Sequence, residues 1–154
     1  MLKYTVALLF GGNIGDAVMQ FDTACRKLGS CGFSVQKRSP VFRTEPVDCV
    51  PGTPDFQNQA VCGSWSGTAQ ELLALTQRIE RESGRPACHS SREARTLDID
   101  IITFGELIIQ EENLQIPHPR AQQRRFVLEP LAAIMPDLCF PDSGKNVAGL
   151  LRDL

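Results

Sequence analysis

Tyr4-Thr5-Val6-Ala7-Leu8-Leu9-Phe10 runs almost wholly apolar and β-prone into Gly11-Gly12. A strand with one wet face alternates apolar and polar residues. An unbroken apolar run is the pattern of a strand covered on both faces, so the sequence predicts a central strand here. A helix follows it. Asp16 supplies the N-cap, Phe21, Ala24, Cys25 and Leu28 fall at i, i+3, i+4 and i+7, and Gly29 is read as the stop. With a single apolar stripe, that helix packs against a sheet.

Phe33 to Phe42 alternates loosely and is rich in strand formers, whereas Thr44 to Pro54 is read as a long surface loop, of a length that in compact domains tends to bind something. Gln59 to Trp65 gives a further strand. Thr68 and Glu71 form a capping box, after which Ala69, Leu72, Leu73, Thr76 and Ile79 trace one helix face as far as Gly84. Asp98 to Phe104 reads as a strand, Leu114 to Ile116 as a short one, and Arg124 to Ala133 as a closing helix before a Pro-rich tail. The order strand, helix, strand, strand, helix, strand predicts an α+β protein. The expected form is a ferredoxin-like sandwich, a mainly antiparallel sheet with helices packed on one face and the other face open for ligands. Residues 1–154 suit one domain.

The formal net charge is −2, and no overall positive field exists to attract DNA, RNA or a bilayer surface. A nucleic-acid module of the same layout would need exposed aromatics on its central strands and a basic face, and neither is present. No stretch approaches the roughly 18 apolar residues of a membrane span, and Met1 leads straight into the first strand without a signal-peptide layout. A cytoplasmic protein with no membrane or nucleic-acid partner is the expectation. The 6 cysteines form no C-x-x-C pair and are expected to be reduced thiols.

Chemistry concentrates in Arg95-Thr96-Leu97-Asp98-Ile99-Asp100. Strand residues two apart share a face, about 6.6 to 7 Å from one another, so Asp98 and Asp100 point the same way. Such a D-x-D also suits a solvent-facing strand backed by Ile99 and Ile101. Here, however, the carboxylate face is expected to continue into Ile102 and Phe104, at the end of a half-buried stripe where an uncompensated charge is costly. Two carboxylates at that spacing suit Mg²⁺, a hard cation that keeps several waters and takes its other ligands from substrate phosphates. Arg85 and Arg95 lie in turns beside the pair, and their planar donor forks suit phosphate oxygens. His118 is held between Pro117 and Pro119. Gly11-Gly12-Asn13-Ile14-Gly15-Asp16 follows a strand and opens a helix, but it fits neither common nucleotide-loop pattern; a tight turn is the plainer reading.

Together these segments resemble the 6-hydroxymethyl-7,8-dihydropterin pyrophosphokinase family. The likeness rests on G-G-N-I-G-D from Gly11, V-F-R-T-E-P from Val41, F-Q-N-Q-A-V from Phe56, Q-R-I-E-R-E-S-G-R from Gln77, R-T-L-D-I-D-I from Arg95, I-P-H-P-R from Ile116 and R-R-F-V-L-E-P-L from Arg124. Their order covers nearly the whole chain. The resemblance implies a ferredoxin-like monomer that moves pyrophosphate from ATP to the pterin hydroxymethyl group and releases AMP in folate biosynthesis. It implies that Asp98 and Asp100 hold two Mg²⁺ ions, with Arg85 and Arg95 completing the catalytic group. Thr44, Glu45, Pro46, Val47, Phe56, Asn58 and Phe126 would frame the pterin, Asn58 bonding its edge and the phenylalanines stacking on its faces. Gln77, Glu80, Arg85, Arg95, Ile101, Asn113, Gln115, His118 and Arg124 would handle ATP.

Departures from the family pattern also stand in the sequence. Gly12 occupies a place usually held by serine, Ala87 one usually held by arginine, and Arg92-Glu93-Ala94 replaces a common Trp-Gly-Pro run in a loop that acts in the family as a lid. A catalytically weak or silent relative that only binds ATP or pterin is therefore the alternative reading, with a less well sealed closure, and hence weaker binding or slower turnover, as its physical basis.

Overall fold

A computed structural model describes residues 2–13, 16–45, 51–52, 55–83 and 97–154. The central strand β1 (Tyr4–Gly12) is flanked by β4 (Phe56–Trp65) on one side and β5 (Asp98–Phe104) on the other, both antiparallel to it. On the far side of β4 lie β2 (Ser34–Arg38) and β3 (Phe42–Thr44), in the order β2-β4-β1-β5 with β3 paired to β4. Helices α1 (Ala17–Ser30) and α2 (Ala69–Glu82) make the two crossings, which gives the ferredoxin-like α+β arrangement expected from the element order.

Local chemistry accounts for these elements. Asp16 accepts the Met19 amide at 3.1 Å to start α1, and Thr68 and Glu71 close a reciprocal capping box at the start of α2. The Glu71 carboxyl is held below its ordinary range by the Thr68 backbone and hydroxyl. Gly29 does not end α1. The helix runs on to Ser30, and Gly32, at φ 99°, turns the chain so that the Phe33 amide bonds the Leu28 carbonyl at 3.0 Å. Phe33 to Phe42 is also two strands rather than one. Pro40 has no N–H to offer, and Ser39 bridges the break by exchanging bonds with Ala60 through its amide and hydroxyl. Because β3 pairs with Phe56–Asn58, β4 starts three positions before the expected Gln59.

Val6, Leu8 and Phe10 pack with Phe21, Leu28, Leu72 and Ile79 of α1 and α2. The opposite sheet face is not left open. Ala7, Leu9, Ala60 and Ile102 meet α3 (Arg125–Ile134) and α4 (Val147–Arg152), together with Phe140. The expected Pro-rich tail thus contains a capped helix, begun by Asn146 accepting the Gly149 amide at 2.7 Å. A small hairpin of β6 (Ile109–Gln110) and β7 (Gln115–Ile116) follows β5. Gly84, the expected end of α2, lies outside the described residues, as do Cys49 and Cys88; Cys25, Cys31, Cys62 and Cys139 are free thiols.

The face assignment of β5 needs one correction. Leu8 pairs with Ile101 and Ala7 with Thr103, so Ile102 is an extra residue in the ladder. Ile102 does share the carboxylate face, but the bulge reverses the alternation after it and sends Phe104 into the helix-side core with Ile99 and Ile101.

Candidate active site

On the second sheet face, past the edge of α3, the strands leave a cavity of 380 Å³. Its floor is Leu9, Gly11 and Gly12 of β1; one wall is Thr44, Glu45, Phe56 and Asn58, the other Asp98 and Asp100, and Arg124 and Phe126 stand at the mouth. Strand register brings these together. Thr44 opposes Phe56, Asn58 opposes Gly11, Gly11 opposes Asp98, and Leu9 opposes Asp100, so side chains distant in sequence rise from one face in adjacent rows. Two flat rings, a buried amide and a half-buried carboxylate pair in one hollow suit a planar polar molecule. The Arg124 guanidinium lies 5.4 Å from the Phe126 ring centroid and stiffens that side of the mouth.

A second cavity, of 280 Å³, lies at the outer edge of β5. Ile101, Asn113, Gln115 and His118 line it, as do Leu73 and Glu112, which the sequence reading did not single out. Asp100 borders both cavities. Asn113 exchanges two amide bonds with Gln70, at 3.1 and 3.2 Å, which fixes its side chain on the hairpin. Burial pushes the His118 imidazole below its ordinary value of 6.5, and the nearby Arg124 and Arg120 charges push the same way against the opposing pull of Asp98. His118 Nδ1 accepts the Arg120 amide at 3.4 Å, which leaves the proton of the neutral ring on Nε2 as a donor.

This shift has a consequence for stability. Below pH 6.5 the unfolded chain takes a proton at His118 more readily than the folded one, so stability falls as pH drops through that value toward the lower folded pKa. Above it both states are neutral there and the contribution vanishes. Thermal midpoints taken from pH 7.5 to 5.5 are expected to fall less in His118→Gln than in the parent; parallel curves would contradict the shift.

Not every expected residue reaches these cavities. Gln77 is exposed on α2 and lines neither. Glu80 is buried, 9% exposed, and its Oε2 accepts the Ile99 amide at 2.7 Å, so it grips β5 between the two aspartates. Arg124 belongs to the first cavity rather than the second, although its charge reaches His118. Pro46, Val47, Arg85 and Arg95 lie outside the described residues, and so does the stretch 86–94, which the resemblance makes a lid. Gly11 and Gly12, read as a turn, end β1 and pave the cavity floor.

Comparison with known proteins places this site in context. Residues 7–136 match the family described as 7,8-dihydro-6-hydroxymethylpterin-pyrophosphokinase. A 2-amino-4-hydroxy-6-hydroxymethyldihydropteridine pyrophosphokinase of Synechocystis sp. is 36% identical over 145 residues, covering 94% of this chain and 73% of the relative. The enzyme of that name from Bacillus subtilis is 39% identical, covering 82% and 75%. A folate synthesis bifunctional protein of Arabidopsis thaliana is 36% identical over 84% of this chain, which spans 27% of that longer protein. Among solved structures, wild-type Plasmodium falciparum HPPK-DHPS with pteroate superimposes with a TM-score of 0.79 at 14% identity, covering 99% of this chain and 44% of that one; this likeness is one of fold.

Proposed function

Because this chain belongs to the 7,8-dihydro-6-hydroxymethylpterin-pyrophosphokinase family, and so transfers pyrophosphate from ATP to hydroxymethyldihydropterin in folate synthesis, we propose that the first cavity takes the pterin, the second takes ATP, and Asp98 and Asp100 hold magnesium between them. The observation that carries this reading is that Asp100 borders both cavities. The donor set suits the metal. Among the described residues no cluster of three or more His, Cys, Asp or Glu forms a complete cage, and two strand-borne carboxylates are what an ion sharing its coordination with water and phosphate requires. Magnesium, when bound there, supplies charge neutralisation across the phosphates.

The protein's own part is positioning. Phe56 and Phe126 stack on the pterin, Asn58 bonds its edge, and Thr44 and Glu45 close the wall, which points the hydroxymethyl arm toward the carboxylates. Ile101 supports the adenine, while Nε2–H of neutral His118 donates to a phosphate. Arg124, with Arg85 and Arg95 on the family likeness, balances the negative charge as the AMP oxygen departs. The silent-relative alternative is not favoured: the carboxylate pair and the pterin wall are intact, and the relatives carry the enzyme's name. Incubation with ATP, Mg²⁺ and the reduced hydroxymethylpterin is expected to yield AMP in step with pterin diphosphate, and chelation of the metal to stop it. ADP as the nucleotide product would overturn the reading.

A further inference from the structure

β1 carries one position that touches both halves of the first cavity. Across the ladder Gly11 faces Asn58 on β4 and Asp98 on β5, and directly opposed residues share a face. All three border the cavity, and the middle one has no side chain. Glycine inside a strand is unfavourable for chain entropy and usually marks a close approach. Here the backbone does not demand it, for Gly11 is not among the glycines with positive φ. Space does. A Cβ at this position would stand 3.2 Å from Asn58 Oδ1 and 3.9 Å from the Gln57 carbonyl oxygen. Asn58 is only 5% exposed, and its Nδ2 reaches Thr44 Oγ1 at 3.5 Å, so its amide plane is set between Thr44 and the bare backbone of Gly11.

We propose that Gly11 is a specificity-determining residue for the pterin: its missing side chain lets Asn58 present its amide edge to the heterocycle and lets the flat ring lie across β1 from Asn58 toward Asp98. The inference rests on the first cavity taking the pterin. A methyl group at position 11 forces Oδ1 aside by a few tenths of an ångström, enough to turn the amide out of line with a ring edge it must meet squarely. The second cavity, at the outer edge of β5, does not include Gly11 and is unaffected.

The test is a double-mutant cycle of Gly11→Ala and Asn58→Ala, reading the pterin KM from AMP formation and the affinity for a non-hydrolysable ATP analogue with Mg²⁺ by calorimetry. Gly11→Ala is expected to raise the pterin KM by about tenfold or more, the size of one lost hydrogen bond, with analogue affinity changed by less than about twofold. In the Asn58→Ala background, the alanine at 11 should add less than about twofold, because the group it displaces is gone. An unchanged pterin KM, an equal loss of analogue affinity, or additive effects of the two changes would overturn the proposal. So would a Gly11→Ala chain that does not fold, since the glycine would then serve the fold rather than the pterin. A parent chain that made no AMP would overturn the pterin reading itself, and this inference with it.

Discussion

Asp98→Ala and Asp100→Ala are each expected to lower the rate of AMP formation by at least about 10²- to 10³-fold, the loss seen when one aimed electrostatic partner is removed from a reacting site. Both side chains are half-buried at a cavity wall rather than packed in either core, so the thermal midpoint should move little. Asp100→Ala should be the more damaging of the two, because only Asp100 borders both cavities and so bears on donor and acceptor together. Asp→Asn at either position separates charge from shape: the amide fills the same volume but is a poor ligand for a hard divalent cation. The measurement is initial AMP release at saturating substrates beside a melting curve. Full activity in any of these variants would remove the carboxylate pair from the mechanism.

Glu80→Ala is expected to lose both stability and turnover, for a different reason. The Glu80 carboxylate takes the Ile99 amide at 2.7 Å on the edge of β5 that faces away from β1, and Ile99 sits between the two aspartates. Removing the acceptor leaves a buried N–H without that partner, at a cost of about 1–3 kcal/mol. It also loosens the strand that aims Asp98 and Asp100. The expected signature is a fall in kcat larger than any rise in the KM for ATP, with most of it recovered in Glu80→Gln, which keeps an acceptor oxygen. A nucleotide role for Glu80, as the family likeness implied, would show the opposite split: weaker ATP binding, an unchanged melt, and no recovery by glutamine.

Much of this was legible in the sequence because the signals were local. An unbroken apolar run marked β1, and Thr68 with Glu71 marked the start of α2. The D-x-D spacing placed Asp98 and Asp100 on one face, and the ladder keeps them there. What escaped was set by distant partners. Phe56 to Asn58 fall between the expected loop and the expected strand, and only their pairing with β3 adds them to β4. Glu80 sits on a helix that repeats apolar residues around it, and only the tertiary position of β5 shows that its carboxylate turns inward. α4 is a helix of six residues whose stability comes from packing with α3 rather than from its own propensity, so no periodicity announced it.

The extra residue at Ile102 makes β5 a strand with two phases. Before it, odd-numbered side chains lie beneath α1 and α2; beyond it, Phe104 does. The bulge, which lets the strand carry Ile102 without turning Phe104 onto the carboxylate face, is therefore itself part of what builds the site. Exchanging one aliphatic side chain for another between 101 and 103 changes only how well an interior is filled. Pairing every residue there without the bulge would rotate half the strand, turning either the acidic pair inward to the oily side of the sheet or Phe104 out of it, whereas losing one codon would straighten the ladder and leave both on their present faces.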